Sequence, residues 1–203
     1  MEQYLSIPPE KLPPQGHEET FYSEETQRTE PEEKTPAIGR ILLDIFETLV
    51  LALVLYFAID AVVARVRVLN ISMVPTLVPG ELVMVNKLAY KLGEMERGDI
   101  IVFHYSEEED YVKRLIGLPG DEVEMKDGIV YISGRPMIET YLNEMPTYTG
   151  KWTVPEGKLF VLGDNRNLSS DSHDWGFVSV DKVMGRAMLI YWPLDQVRFF
   201  TRE

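Results

Sequence analysis

The sequence predicts a mainly β domain carried behind one long apolar helix. Three observations lead there. An uninterrupted apolar run from Leu49 to Ile59 lies in a longer hydrophobic segment. Short alternating or apolar segments bounded by Gly and Asp-Gly turns follow it. Beyond residue 65 no helical periodicity persists past two turns.

Residues 1–40 hold nine Glu, no Asp, four basic residues and six of the thirteen prolines. Apolar residues there are few and aperiodic, so burial cannot offset the entropy of ordering, and a disordered acidic tail is expected. Residues 41–64 read ILLDIFETLVLALVLYFAIDAVVA. At about 1.5 Å per residue this helix is roughly 36 Å long, enough for a hydrocarbon core of about 30 Å. It is hydrophobic all round, which separates a membrane span from a one-faced surface helix. Asp44, Glu47 and Asp60 lie toward its ends, where charge costs least. A cleavable leader is disfavoured by the acidic stretch before the run and by the lack of a small-x-small site after it. Arg28, Lys34 and Arg40 before it and Arg65 and Arg67 after it leave the positive-inside rule nearly balanced.

Residues 65–203 are enough for one core. Asp99 to Tyr105 reads as an apolar strand. Residues 122–126 alternate, Asp127-Gly128 turns, and Ile129 to Ile132 returns, the signature of a two-residue hairpin. Ser133-Gly134 makes the next turn, and 158–162 and 183–192 are further strands. Ala89 to Glu96 is the one weak helix candidate. Residues 134–157, richer in Pro, Tyr and Thr, read as a less regular insertion. Trp192, Phe199 and Phe200 read as ordinary core, with contact to a bilayer interface as the alternative.

Composition excludes several functions. The formal net charge is −13, which argues against sequence-independent nucleic-acid binding. Zero cysteines remove disulfides, iron–sulfur clusters, zinc–cysteine sites and thiol catalysis. With only His17, His104 and His173, and no HExxH, neither a histidine metal site nor a Ser-His-Asp triad is expected. No metal or other cofactor is called for.

The candidate chemistry lies in three segments. Ser72, in Asn70-Ile-Ser-Met-Val-Pro-Thr-Leu77, follows the apolar run by about eight residues. A serine hydroxyl needs a base to become a nucleophile, and without histidine the choices are Lys, Asp and Glu. Lys113, in Tyr111-Val-Lys-Arg-Leu-Ile-Gly117, shares a strand face with Tyr111 and Leu115, while Arg114 takes the other. A lysine on an apolar face has a lowered pKa and can serve as general base; one with its head in water cannot. The third segment, Gly163-Asp-Asn-Arg-Asn-Leu-Ser-Ser-Asp-Ser-His-Asp-Trp-Gly176, is a dense polar loop after a strand. It lacks the Gly and Glu of a calcium loop and reads as an ordered turn.

In order and spacing these segments, with Arg97-Gly-Asp-Ile-Ile-Val-Phe103, resemble bacterial type I signal peptidase, a membrane serine protease. The resemblance covers residues 41–192. It implies an antiparallel β catalytic domain of the signal peptidase/LexA-like kind on the extracytoplasmic face of the plasma membrane, after a single transmembrane helix. The implied substrates are exported precursors carrying signal peptides, and the reaction passes through an acyl-enzyme. Ser72 matches the nucleophile and Lys113 the general base. Ser169 matches a hydroxyl that holds the amine, and Asp171 a supporting carboxylate. Gly163, Asp164 and Asn165 match the loop that shapes the site. The Ser72 N–H matches one oxyanion donor, a contact worth about 3–4 kcal/mol. Asn70 stands where some members carry a donor hydroxyl, and its amide is expected to donate to the oxyanion instead. His173 stands where an arginine usually pairs with the aspartate two residues earlier. Substrate is expected as an extended strand on an exposed edge, with Met73, Tyr111 and Val112 lining shallow pockets.

Rival readings fare less well. A LexA-repressor-type self-cleaving domain shares the dyad but needs a DNA-binding module in place of the acidic tail and apolar helix. A penicillin-binding enzyme needs Ser-x-x-Lys and Lys-Thr-Gly, both absent. An inactive peptide-binding module is opposed by the intact Ser72/Lys113 pair.

Overall fold

The computed structural model describes residues 38–201. The acidic stretch read as a tail lies outside the described residues up to position 37, and residues 38–40 already belong to a helix. That helix, α1 (Ile38–Val62), has no buried residue and is long and apolar enough to cross a membrane. β1 (Val63–Arg67) follows immediately, so strand begins at Val63, inside the span read as membrane helix.

The larger sheet has the order β1-β2-β11-β3-β4-β9-β10, all antiparallel, with β12 added beside β11. Its strands are β2 (Leu82–Asn86), β3 (Ile100–His104), β4 (Asp110–Gly117), β9 (Lys158–Leu162), β10 (Val178–Ser179), β11 (Val183–Trp192) and β12 (Arg198–Phe199). A four-stranded sheet, β7-β6-β5-β8, holds β5 (Glu122–Lys126), β6 (Ile129–Ile132), β7 (Arg135–Pro136) and β8 (Gly150–Thr153). The residues read as an irregular insertion thus supply its two flanking strands. Single turns of helix stand at α2 (Ala89–Leu92), inside the weak candidate, and at α3 (Ser172–Trp175), which the sequence did not signal.

Period-two alternation explains why β3 is apolar throughout. Ile100 and Val102 join a core with Val83, Val85 and Ile190, whereas Ile101 and Phe103 join a second core with Leu115, Leu159 and Val161. β9 repeats the device, its Phe160 and Leu162 facing a third core under the small sheet with Val123 and Val130. Two hairpin turns have the left-handed backbone their sequences call for: Asp127-Gly128 at φ 51° and 76°, and Ser133-Gly134 at φ 48° and 79°.

The C-terminal aromatics correct the sequence reading. Trp192 and Phe199 are exposed, not core, and only Phe200 packs against the first cluster. Trp192 is the last residue of β11 and Phe199 the last of its short partner β12, and among the described residues no layer covers them.

Candidate active site

Lys113 stands in β4 opposite Ile101 and is only 3 % exposed. As alternation requires, it shares a face with Tyr111, whose ring centroid is 5.7 Å from Nζ. Nζ donates to Ser169 Oγ at 2.9 Å, and Ser169 is itself buried. Burial pushes the amine down from its ordinary 10.5 to about 8, against the opposing pull of the Asp171 and Asp164 carboxylates.

Ser72 is buried on a short turn that follows the chain out of β1. Met73 and Leu77 anchor that turn in the first core, and the Leu77 N–H closes it on Met73 O at 2.8 Å. From the other side the Asn165 N–H donates to Ser72 O at 3.0 Å and its Nδ2 to Ile71 O at 3.1 Å. Ser72 and Lys113 line one cleft of about 290 Å³, together with Met73, Tyr111 and Val112. In this state the Ser72 hydroxyl donates to Asn70 Oδ1 at 2.8 Å, and the Ser72 N–H donates to the same oxygen at 3.2 Å. The Asn70 carbonyl oxygen, not its amide nitrogen, therefore meets the serine.

The loop after β9 ties these segments together. Asp164 is buried and takes a bidentate pair from Arg114, Nε at 2.8 Å and Nη2 at 2.7 Å, and also accepts from the Thr76 hydroxyl. Arg114 sits beside Lys113 on the opposite face, so one carboxylate fixes both β4 and the Ser72 turn. Asp171, fully buried, accepts from the Gly163 N–H at 2.8 Å and caps α3 through the His173 N–H at 3.3 Å. His173 Nδ1 lies 2.6 Å from Asp171 and Nε2 3.1 Å from Asp174, with its ring stacked on Tyr148 at 4.0 Å. Gly163 has no room for a side chain: a Cβ would fall 2.2 Å from Ser169 Oγ and 2.4 Å from Ser72 O.

All the site residues expected from the sequence therefore converge. Sequence reasoning missed the cross-links: Thr76 and Arg114 stand in quoted motifs without an assigned role, and Glu139, Tyr141 and Tyr148 gave no local signal. Among the described residues no His/Asp/Glu cluster is arranged to hold a metal ion.

Residues 42–192 match the family described as signal peptidase, peptidase S26. The chain belongs to that family. It is 45% identical over 143 residues to signal peptidase I of Bacillus caldolyticus, which covers 63% of this chain and 79% of that protein. It is 39% identical over 170 residues to probable signal peptidase I-2 of Synechocystis, covering 79% of this chain and 78% of that one. A solved signal peptidase I from Enterococcus faecalis V583 aligns at 41% identity over 46% of this chain and 96% of its own, with a TM-score of 0.42. As a member of the signal peptidase family, the chain is a serine peptidase.

Proposed function

We propose that the protein is a membrane-anchored signal peptidase I that cleaves exported precursors by a Ser72/Lys113 dyad. The observation that carries this reading is a lysine buried in the serine's cleft, its amine pushed down to about 8 by burial and oriented by Ser169.

The neutral amine accepts the Ser72 proton as Oγ attacks the scissile carbonyl. The developing oxyanion takes the Ser72 N–H that otherwise donates to Asn70 Oδ1. Rotation of the Asn70 carboxamide would free that donor and offer Nδ2 to the same oxygen. Protonated Lys113 then delivers its proton to the leaving amine. Water, activated by the same lysine, hydrolyses the ester on Ser72. Ser169 holds Nζ throughout, and Asp171 holds the Gly163 end of β9 that presents Ser169.

Substrate adds to β4 as an extended strand. β9 pairs with β4 only from Arg114 onward, which, among the described residues, leaves Asp110–Lys113 with β3 on one side and no strand on the other. That edge runs along the cleft, where Met73, Tyr111 and Val112 supply shallow apolar walls suited to small side chains. Helix α1 crosses the bilayer, and residues 63–203 act on its extracytoplasmic side. Exposed Trp192 and Phe199 suit an interfacial position.

The test is precursor processing in detergent, using a precursor with small residues before the cleavage point. Ser72→Ala and Lys113→Ala are each expected to lose roughly 10³-fold or more. Undiminished cleavage by both variants would refute the dyad.

A further inference from the structure

The excursion between β7 and β8 reaches the site through a buried charge circuit that the dyad itself does not use. Arg166, whose side chain is fully buried, follows Gly163-Asp164-Asn165 directly. Its Nε donates to Gly163 O at 3.1 Å, and its terminal nitrogens donate to the two oxygens of Glu139, one at 3.0 Å. The Tyr141 hydroxyl donates to Glu139 at 2.6 Å, and its ring lies 3.7 Å from the Arg114 guanidinium carbon. Arg114 closes the circuit on Asp164. Burial, then the Glu139 charge, pushes the Tyr141 pKa upward, so the hydroxyl remains a donor.

The circuit begins and ends on neighbouring residues. Arg166 holds the carbonyl of Gly163, and Arg114 holds the carboxylate of Asp164. Gly163 is packed so closely against Ser169 Oγ and Ser72 O that displacement there reaches both groups. A buried guanidinium that loses its carboxylate partner is an uncompensated charge, and the surrounding backbone moves to solvate it.

We propose that Glu139 and Tyr141 are positioning residues for peptide hydrolysis, clamping Gly163 and Arg114 so that Ser169 keeps Lys113 directed at Ser72. This rests on the dyad reading. It assigns the β7–β8 excursion a part in catalysis that local sequence does not signal.

The experiment uses the full chain in detergent with Glu139→Gln, Tyr141→Phe and the double variant Glu139→Leu/Arg166→Met. Melting temperature, kcat, KM and the rate of labelling by a serine-acylating inhibitor are measured for each. For Glu139→Gln, kcat and labelling fall about 10- to 100-fold, the cost of a misplacement of about an ångström or less, while KM stays within about twofold. Tyr141→Phe keeps the ring under Arg114 and loses only its bond to Glu139, so a several-fold fall in kcat is expected. The double variant removes both buried charges and regains most of the melting temperature lost in Glu139→Gln, because replacing a whole buried pair by apolar groups costs little, with only the Tyr141 hydroxyl left without its acceptor. Its kcat stays low, since Gly163 O has lost its donor. Wild-type kcat in every folded variant overturns the proposal, and so does a double variant that regains kcat together with stability. Ser72→Ala and Lys113→Ala run alongside: if they remain active the dyad has failed, and if they are dead while Glu139→Gln is normal only the clamp has failed.

Discussion

Keeping Lys113 dry destabilises the fold, and replacing it with methionine exposes the cost. The unfolded chain titrates this amine at about 10.5 and the folded protein at about 8. The folded state therefore binds fewer protons than the unfolded chain between those values, and stability rises with pH across that window. At about 1.4 kcal/mol per pKa unit, the ionised amine costs about 3 kcal/mol at pH 7, about 2 at pH 9 and less than about 1 at pH 10. Methionine has nearly the same length and no charge. The variant also loses the bond to Ser169, worth about 1 kcal/mol, so Lys113→Met gains about 2 kcal/mol at pH 7. The gain disappears by about pH 10. Denaturant unfolding of the full chain in detergent, repeated from pH 7 to 10, measures it. A variant no more stable than wild type at pH 7 would refute the reasoning, as would a gain unchanged up to pH 10.

Under the proposed dyad the same titration governs rate. At pH 7 about one amine in ten is neutral, so kcat/KM in wild type is expected to rise nearly tenfold from pH 6 to 7 and to level above about pH 8; a flat profile over pH 6–9 would remove Lys113 as the base. Gly163→Ala drives a methyl into Ser169 Oγ and the Ser72 carbonyl. It is expected to lower kcat by about 10²-fold or more, read by precursor cleavage. His173→Arg retains or improves activity, because a guanidinium can bridge Asp171 and Asp174 with permanent charge and still stack on Tyr148. Complete loss of processing in that variant would reject this account.

The sequence made legible what depends on short-range pattern. The β5–β6 hairpin is written in Asp127-Gly128, and the face of Lys113 in simple alternation from Tyr111 to Leu115. β1 was hidden because Val63 and Ala64 continue the apolar composition of the helix before them. β2, flanked by no strong turn dipeptide on its far side, did not stand out. Trp192 and Phe199 misled because a large aromatic predicts burial, whereas these two close their strands at the C-terminal end of the sheet and no described residue buries them. At the site, residue types that carry chemistry were visible and the contacts that aim them were not. Glu139 meets Arg166 across 27 positions and Arg114 meets Asp164 across 50, separations at which no local spacing rule operates.

That division has a physical consequence for the lysine. A buried amine loses its proton only if nearby carboxylates do not return it, and Asp164 and Asp171 both pull the Lys113 pKa upward. The structure engages each carboxylate elsewhere. Asp164 faces a permanently charged arginine in a bidentate pair, and Asp171 accepts from the Gly163 N–H and faces His173. An arginine beside the lysine in sequence, turned by the pleat to the other face, is the direct way to neutralise a carboxylate this close. Desolvation is then left as the largest influence on the amine. On the proposed mechanism Arg114 would serve the base by occupying Asp164, and the Lys-Arg pair in β4 would work as one unit: one cation is held charged so that its neighbour can be neutral.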